Sequence, residues 1–154
     1  ALASHDDATE AHVAESHQLG SVIAEFPTTL AAAQASRQHG MHVLMGAPNI
    51  VRGGSHSGNV AAHQLASHGL LDILSSDYYP ASLLDAAFRI ADARTMPSPC
   101  HRRSVWSVSI RRRRWALTIA ASSPRENAPT WCWRTRRGEH IQIDHVWRQG
   151  KRVF

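Results

Sequence analysis

The first 93 residues alternate short apolar runs with longer helical stretches, and this alternation restricts the fold more than any other feature of the sequence. After a short apolar start, the predicted strands lie at 21–26, 41–45 and 70–74. The predicted helices lie at 6–17, 28–39, 59–68 and 81–91. Because the apolar runs are continuous, they are typical of a parallel sheet whose two faces are covered by helices.

The spacing of these units predicts part of a (β/α)₈ TIM-type barrel, whose chains run to roughly 250 residues. Only about four of the eight units fit into residues 1–93. We therefore expect an α/β fold consisting of half a barrel. Its two unpaired strand edges would favour association between copies of the chain or formation of a homo-oligomer.

Charge divides the chain into two dissimilar parts. Residues 1–93 contain three arginines, no lysine and nine acidic residues, whereas residues 94–154 contain fourteen basic residues and three acidic ones. The segment 94–137 holds eleven arginines and four of the five tryptophans, Trp106, Trp115, Trp131 and Trp133. Such a segment can bind nucleic acid, since guanidinium groups neutralise phosphates and indoles stack on bases. It is more typical of a solvated, irregular stretch, which we predict here with its tryptophans exposed and without a nucleic-acid partner.

The last part of the chain, 138–154, is predicted to be a short β tail. Residues 141–147 alternate between apolar and polar, as in a half-buried strand, and Gly150 lies at a turn before the final residues.

Reactive groups in such barrels lie at the carboxyl ends of the strands, and three places in this sequence qualify. His5 follows the first strand, a glycine-rich loop follows the third, and Asp77 follows the fourth. A histidine and an aspartate at one barrel mouth could hold a divalent metal, with zinc as the expected ion. The metal would acidify a water molecule, and Asp77 would take its proton.

The glycine-rich loop predicts a site for a phosphate ester or polyphosphate. Its backbone amides could point into one concavity, and the N-terminus of the following helix would add positive charge. A guanidinium can bind phosphate through two parallel hydrogen bonds, and hydroxyl and amide groups can donate more. The candidate substrate-binding residues are Arg52, Gly53, Gly54, Ser55, His56 and Asn59.

Five runs of the sequence resemble the C-terminal half of the phosphonate-pathway diphosphatases of the amidohydrolase superfamily. They are LASHDDATEAHVAE, GSVIAEFPTT, VLMGAPNIVRGGSHSGNVAA, LLDILSSDYYPASLLDAAFRIAD and GEHIQIDHVWRQGKRVF. The resemblance implies release of pyrophosphate from α-D-ribose 1-methylphosphonate 5-triphosphate. It also implies that His5 binds the metal, that Asp77 contacts the metal and the attacking water, and that the loop faces the triphosphate.

Two features depart from the family pattern. The superfamily's His-x-His pair does not occur in the sequence, so we expect an incomplete and inactive fragment. The segment 94–137 matches nothing in the family. Reading parts of it in another frame permits family-like strings, and we hypothesise two compensating frameshifts near Arg94 and Arg136.

Composition excludes some other classes. No stretch approaches the ~20 apolar residues of a membrane span, and the start lacks the features of a signal peptide. Two cysteines form no disulfide framework, which favours a reducing, cytoplasmic location. The alternatives that remain are an arginine-rich nucleic-acid-binding protein and another amidohydrolase that acts on a cyclic amide.

Overall fold

A computed structural model describes residues 2–55, 57–93, 130–138, 140–148 and 150–154. In the first two ranges, four parallel strands form one sheet in the order β1-β2-β3-β4. The strands are β1 (Leu2–His5), β2 (Ser21–Glu25), β3 (His42–Gly46) and β4 (Ile73–Ser75). The α/β class and the parallel sheet are thus confirmed. Among the described residues the sheet is open, with β1 and β4 at its edges.

Five helices connect or follow these strands: α1 (Glu10–Gln18), α2 (Leu30–Gln38), α3 (Ala47–Arg52), α4 (Ala62–Ser67) and α5 (Ser82–Asp92). The first two begin later than the sequence predicts. Thr9 and Thr29 are their N-caps, and each hydroxyl accepts a hydrogen bond from a backbone amide three residues on. Because these caps satisfy the first free amides, Asp6 and Pro27 lie before the helices and do not begin them.

The region between β3 and β4 differs most from the prediction. The expected loop after β3 is instead α3, which begins at Ala47 with Pro48 in its first turn and ends at Gly53, whose φ is 83°. The expected helix at 59–68 shortens to the six residues of α4. Two short helices therefore flank the glycine-rich loop, and the second is too short to supply the predicted helix dipole at Asn59.

Both faces of the parallel sheet are buried, which explains the continuous apolar runs. One face packs against α2–α5 through a cluster that includes Val43, Met45, Leu65 and Leu74. The alternate residues Ile23, Leu44 and Ile73 form a separate buried cluster on the other face.

A second, antiparallel sheet contains β5 (Thr130–Arg137), β6 (His140–Arg148) and β7 (Lys151–Arg152). The strand and turn predicted in the C-terminal tail are therefore observed. The irregular structure predicted for 94–137 is wrong for its last eight residues, because they pair with β6 along their whole length. Trp133 is 63% exposed, as expected, whereas Trp106, Trp115 and the rest of 94–129 lie outside the described residues.

The second sheet is attached to α5 mainly by polar contacts. The Asp85 carboxylate accepts a hydrogen bond from the Ile141 amide at 2.8 Å and lies 3.0 Å from His140 Nδ1. Arg136 pairs with Asp92 at 2.6 Å. The guanidinium carbon of Arg134 lies 3.9 Å from the centre of the Phe88 ring. Two of the arginines in the basic segment are thus bound within the chain.

None of the described helices is both long enough and apolar enough to cross a membrane.

Candidate functional site

The carboxyl ends of the four parallel strands meet at one edge of the sheet, and a cavity of about 210 Å³ opens there. Among the residues that line it are Asp6, Phe26, Gly46, Arg52, Ser55, Asn59, Asp77 and Tyr78. Two carboxylates and one guanidinium thus face a single concave space, as expected of a site at the ends of parallel strands. Four of the residues singled out from the sequence, Arg52, Ser55, Asn59 and Asp77, lie on its wall.

Three residues on this wall have backbone conformations that side chains other than glycine rarely adopt. Asp6, Phe26 and Asp77 have φ angles of 59°, 54° and 48°. Asp6 and Phe26 come directly after β1 and β2, and their amides donate to Glu25 and Leu44 carbonyls at 3.0 and 2.9 Å. Such conformations cost on the order of 1–3 kcal/mol each and are found mostly at functional sites.

Phe26 lies between the two residues predicted to bind metal. Its ring contacts the His5 ring edge-on, with 5.5 Å between the centroids. A Cβ atom added to Gly46 would lie 3.5 Å from Phe26 Cε1 and 3.1 Å from Asp77 Oδ2. His5 and Asp77 therefore share the same edge of the sheet. Asp77 lines the cavity, but His5 is not among the described residues that do so.

His5 has a carboxylate partner next to it in the chain. Its Nδ1 lies 3.1 Å from Asp6 Oδ2, and both side chains are 58% exposed. A carboxylate on one ring nitrogen leaves the other, Nε2, as the nitrogen directed to a further partner. In the part of the chain that the structure describes, no group of three histidine, cysteine or acidic side chains could hold a metal ion.

Arg52 is the last residue of α3, and its guanidinium carbon lies 5.7 Å from the centre of the Tyr78 ring. This contact and the end of α3 hold the cation at the cavity. The loop that follows is closed by Asn49, whose side-chain oxygen accepts from the Ala62 amide at 2.9 Å. His56 lies outside the described residues.

The two glycines after Arg52 do not act as the sequence analysis expects. The Gly53 amide donates to the Ile50 carbonyl at 3.2 Å, and the Gly54 amide donates to the Asn49 carbonyl at 3.0 Å. Both amides therefore end α3 and are not directed at a ligand. Gly53, with its positive φ, serves to turn the chain, so the phosphate-binding role of the loop depends on its side chains.

Sequence analysis missed Asp6, Phe26, Asn49 and Tyr78 as residues of the site. Asp6 and Tyr78 are each directly next to a predicted site residue, His5 and Asp77. That adjacency is the signal that could have identified them, since the turn after a strand brings consecutive residues to the same edge.

Comparison with known proteins gives one close relative. The chain is 62% identical, over 161 aligned residues, to the alpha-D-ribose 1-methylphosphonate 5-triphosphate diphosphatase of Escherichia coli strain K12. The match covers the whole of this chain and 41% of the length of that enzyme. No protein-family model and no solved structure matches the chain. The resemblance found in the sequence is thus confirmed, and the chain is a homologue of part of a diphosphatase, which is a hydrolase.

Proposed function

We propose that this chain carries one side of the active site of a diphosphatase that releases pyrophosphate from α-D-ribose 1-methylphosphonate 5-triphosphate. The observation that carries the proposal is the convergence of Asp6, Asp77 and Arg52 on one cavity at the carboxyl edge of a parallel sheet. The 62% identity to an enzyme with this activity supports the choice of substrate.

The arginine side of the cavity would bind the triphosphate. Arg52 is fixed at the end of α3 and contacts Tyr78, so its guanidinium is pre-positioned for phosphate oxygens. Ser55 and Asn59 line the same wall and carry hydrogen-bond donors. The negative charge of the triphosphate would be opposed on the other side by Asp6 and Asp77, which disfavour binding unless a cation lies between them and the phosphates.

Asp77 would act as the general base. A water molecule attacks the phosphorus next to the ribose, and the bond from that phosphorus to the bridging oxygen of pyrophosphate breaks. The products are the 5-phosphate and pyrophosphate, and the proton of the attacking water goes to the Asp77 carboxylate. The left-handed backbone at Asp77 directs this carboxylate to the cavity instead of along the sheet edge.

The divalent metal, with zinc the expected ion, is part of the proposal, but the described residues fit it only in part. His5 through Nε2 and Asp77 would supply two donors of the types that zinc accepts. Catalytic zinc sites use three protein ligands, and no group of three is present among the described residues. We therefore derive no step from the metal and expect the chain alone to release no pyrophosphate.

A chimera tests this function. The matching 41% of the Escherichia coli enzyme is replaced by this chain, and pyrophosphate release is measured with added Zn²⁺. We expect activity in the chimera and its loss, by 10²-fold or more, on Asp77→Asn, because general bases contribute roughly 10²–10⁴-fold.

The matched control is Glu15→Gln, which removes an exposed carboxylate on α1 and should leave the rate unchanged. A chimera that is active and keeps its rate with Asp77→Asn would contradict the assignment of the base. A chimera that folds and is inactive would contradict the proposed function of the site.

The nucleic-acid alternative predicts something different, namely a salt-dependent affinity for single-stranded DNA that disappears on deletion of 94–137. The contacts of Arg134 with Phe88 and of Arg136 with Asp92 favour an attachment role for these arginines instead.

A further inference from the structure

Two exposed histidines lie against each other at the end of the sheet opposite the cavity. His17 is in the last turn of α1, and His39 is the C-cap of α2. Their ring centroids are 4.8 Å apart, and the ring planes make an angle of 35°. Because α1 and α2 end just before β2 and β3 begin, this pair is remote from His5 and Asp77.

The pair is fixed by the packing of the helices that carry it. Val13 on α1 and Ala32 and Ala35 on α2 are buried in one apolar cluster with Ala24 and Met41. Small residues let the two helices approach closely, and both helices then end side by side. A site carried on packed helices is more precisely preformed than a site carried on loops.

The separation of the rings matches that of two imidazoles on one metal ion. A Zn–N distance of about 2.05 Å, with about 1.15 Å from the nitrogen to the ring centroid, puts each centroid about 3.2 Å from the metal. Angles between 90° and 109° at the metal then give centroid separations of about 4.5 to 5.2 Å. The observed 4.8 Å falls within this range.

Electrostatics at this end of the molecule also favours a cation. The C-terminus of an α-helix carries roughly half a negative charge, and two helices of nine residues end together here. Imidazole nitrogen is a preferred ligand for zinc, copper and nickel, whereas calcium and magnesium prefer oxygen.

We propose that His17 and His39 form a two-histidine site for a transition-metal dication such as Zn²⁺ or Cu²⁺, with water completing the coordination. The bound ion would join the C-terminal ends of α1 and α2. This site does not depend on the proposed function, since none of its residues lies at the cavity.

The test is a Zn²⁺ titration by calorimetry of the full chain carrying His5→Ala and Asp77→Asn, which removes the candidate donors at the other end. His17→Gln and His39→Gln are added singly, and His63→Gln, exposed on α4, is the matched control. We expect one bound ion, and at least about ten-fold weaker binding in each of the first two variants, since removal even of outer partners costs 10–100-fold. Electron paramagnetic resonance of bound Cu²⁺ should show two coordinating ring nitrogens, falling to one in either variant.

Unchanged affinity in both His17→Gln and His39→Gln would overturn the proposal, as would an equal loss in His63→Gln. Absence of any bound ion in the parent chain would do the same. Circular dichroism of each variant separates loss of the ligand from loss of the fold, and exposed polar substitutions should leave the spectrum unchanged.

Discussion

Replacing Asp77 with glycine should make the chain more stable than replacing it with alanine. At φ 48° a side chain with a Cβ atom costs roughly 1–2 kcal/mol, and glycine avoids this cost. Glycine also loses about 0.4–1 kcal/mol through the greater freedom of the unfolded chain. Since Asp77 is exposed, little burial is lost in either variant, and the balance favours Asp77→Gly over Asp77→Ala by about 1 kcal/mol.

Urea unfolding followed by circular dichroism measures this difference. With slopes of about 1–3 kcal/mol/M, the midpoint of Asp77→Gly should lie about 0.3–1 M above that of Asp77→Ala. Glu15 provides the matched control, because it is exposed on the ordinary right-handed helix α1. There the order should reverse, with Glu15→Gly about 1 kcal/mol less stable than Glu15→Ala.

If alanine at position 77 were as stable as glycine, the backbone at the cavity would carry no strain. The same result at both positions 77 and 15 would show that only helix propensity and chain freedom are being measured. In the chimera, Asp77→Gly should combine increased stability with lost activity, which is the pattern of a residue kept for function at a cost to the fold.

Three other predictions concern the fold. Leu65→Ala should lower the free energy of unfolding by about 3 kcal/mol in urea, since Leu65 is fully buried; a loss below about 1 kcal/mol would contradict its place in the core. Asp72→Ala should cost about 1–3 kcal/mol in the same assay, because Asp72 accepts from the amide of buried Val43 at 3.0 Å, and an unchanged midpoint would show that this amide finds another acceptor. Burial, partly offset by Arg134, raises the pKa of the Cys132 thiol, so in a Cys100→Ser chain its alkylation at pH 8.5 should be slower than that of free cysteine, and an equal rate would refute the shift.

The parallel sheet could be predicted because its residues are buried on both faces. Leu44 and Met45 are consecutive, yet each belongs to a buried cluster on a different side. That arrangement requires continuous apolar runs, which are visible in the sequence. Helix starts were less accurate, because Thr9 could be recognised as a cap only once the hydrogen bond from His12 was known.

The candidate site was predicted in part. His5 and Asp77 follow strands, so their common edge follows from parallel pairing. The left-handed backbone of Asp6 could not be predicted, because aspartate also suits a helix start, which is how it was interpreted. The helix α3 was missed because Pro48 and Gly53 are typical of loops, and here they are its first-turn residue and its end.

The strand β5 was hidden by its charges. Arginine at 134, 136 and 137 is typical of a solvated segment, and the groups that bind two of them, Phe88 and Asp92, lie about forty residues earlier in the chain. The hypothesis of compensating frameshifts remains a prediction that sequencing of the gene region would test. An intact reading frame, with no neighbouring insertions or deletions, would contradict it.

The fastening of the C-terminal hairpin to α5 implies that the two parts of the chain respond to different solvents. Asp85 and Arg136 make this attachment through partly exposed charges, whereas the helices around the parallel sheet are held by buried apolar groups. Concentrated sodium chloride shortens the Debye length to about 3 Å at 1 M and weakens exposed ion pairs, but it leaves apolar packing in place. Brine should therefore loosen the hairpin while the rest of the chain stays folded, so trypsin would cut first among its arginines.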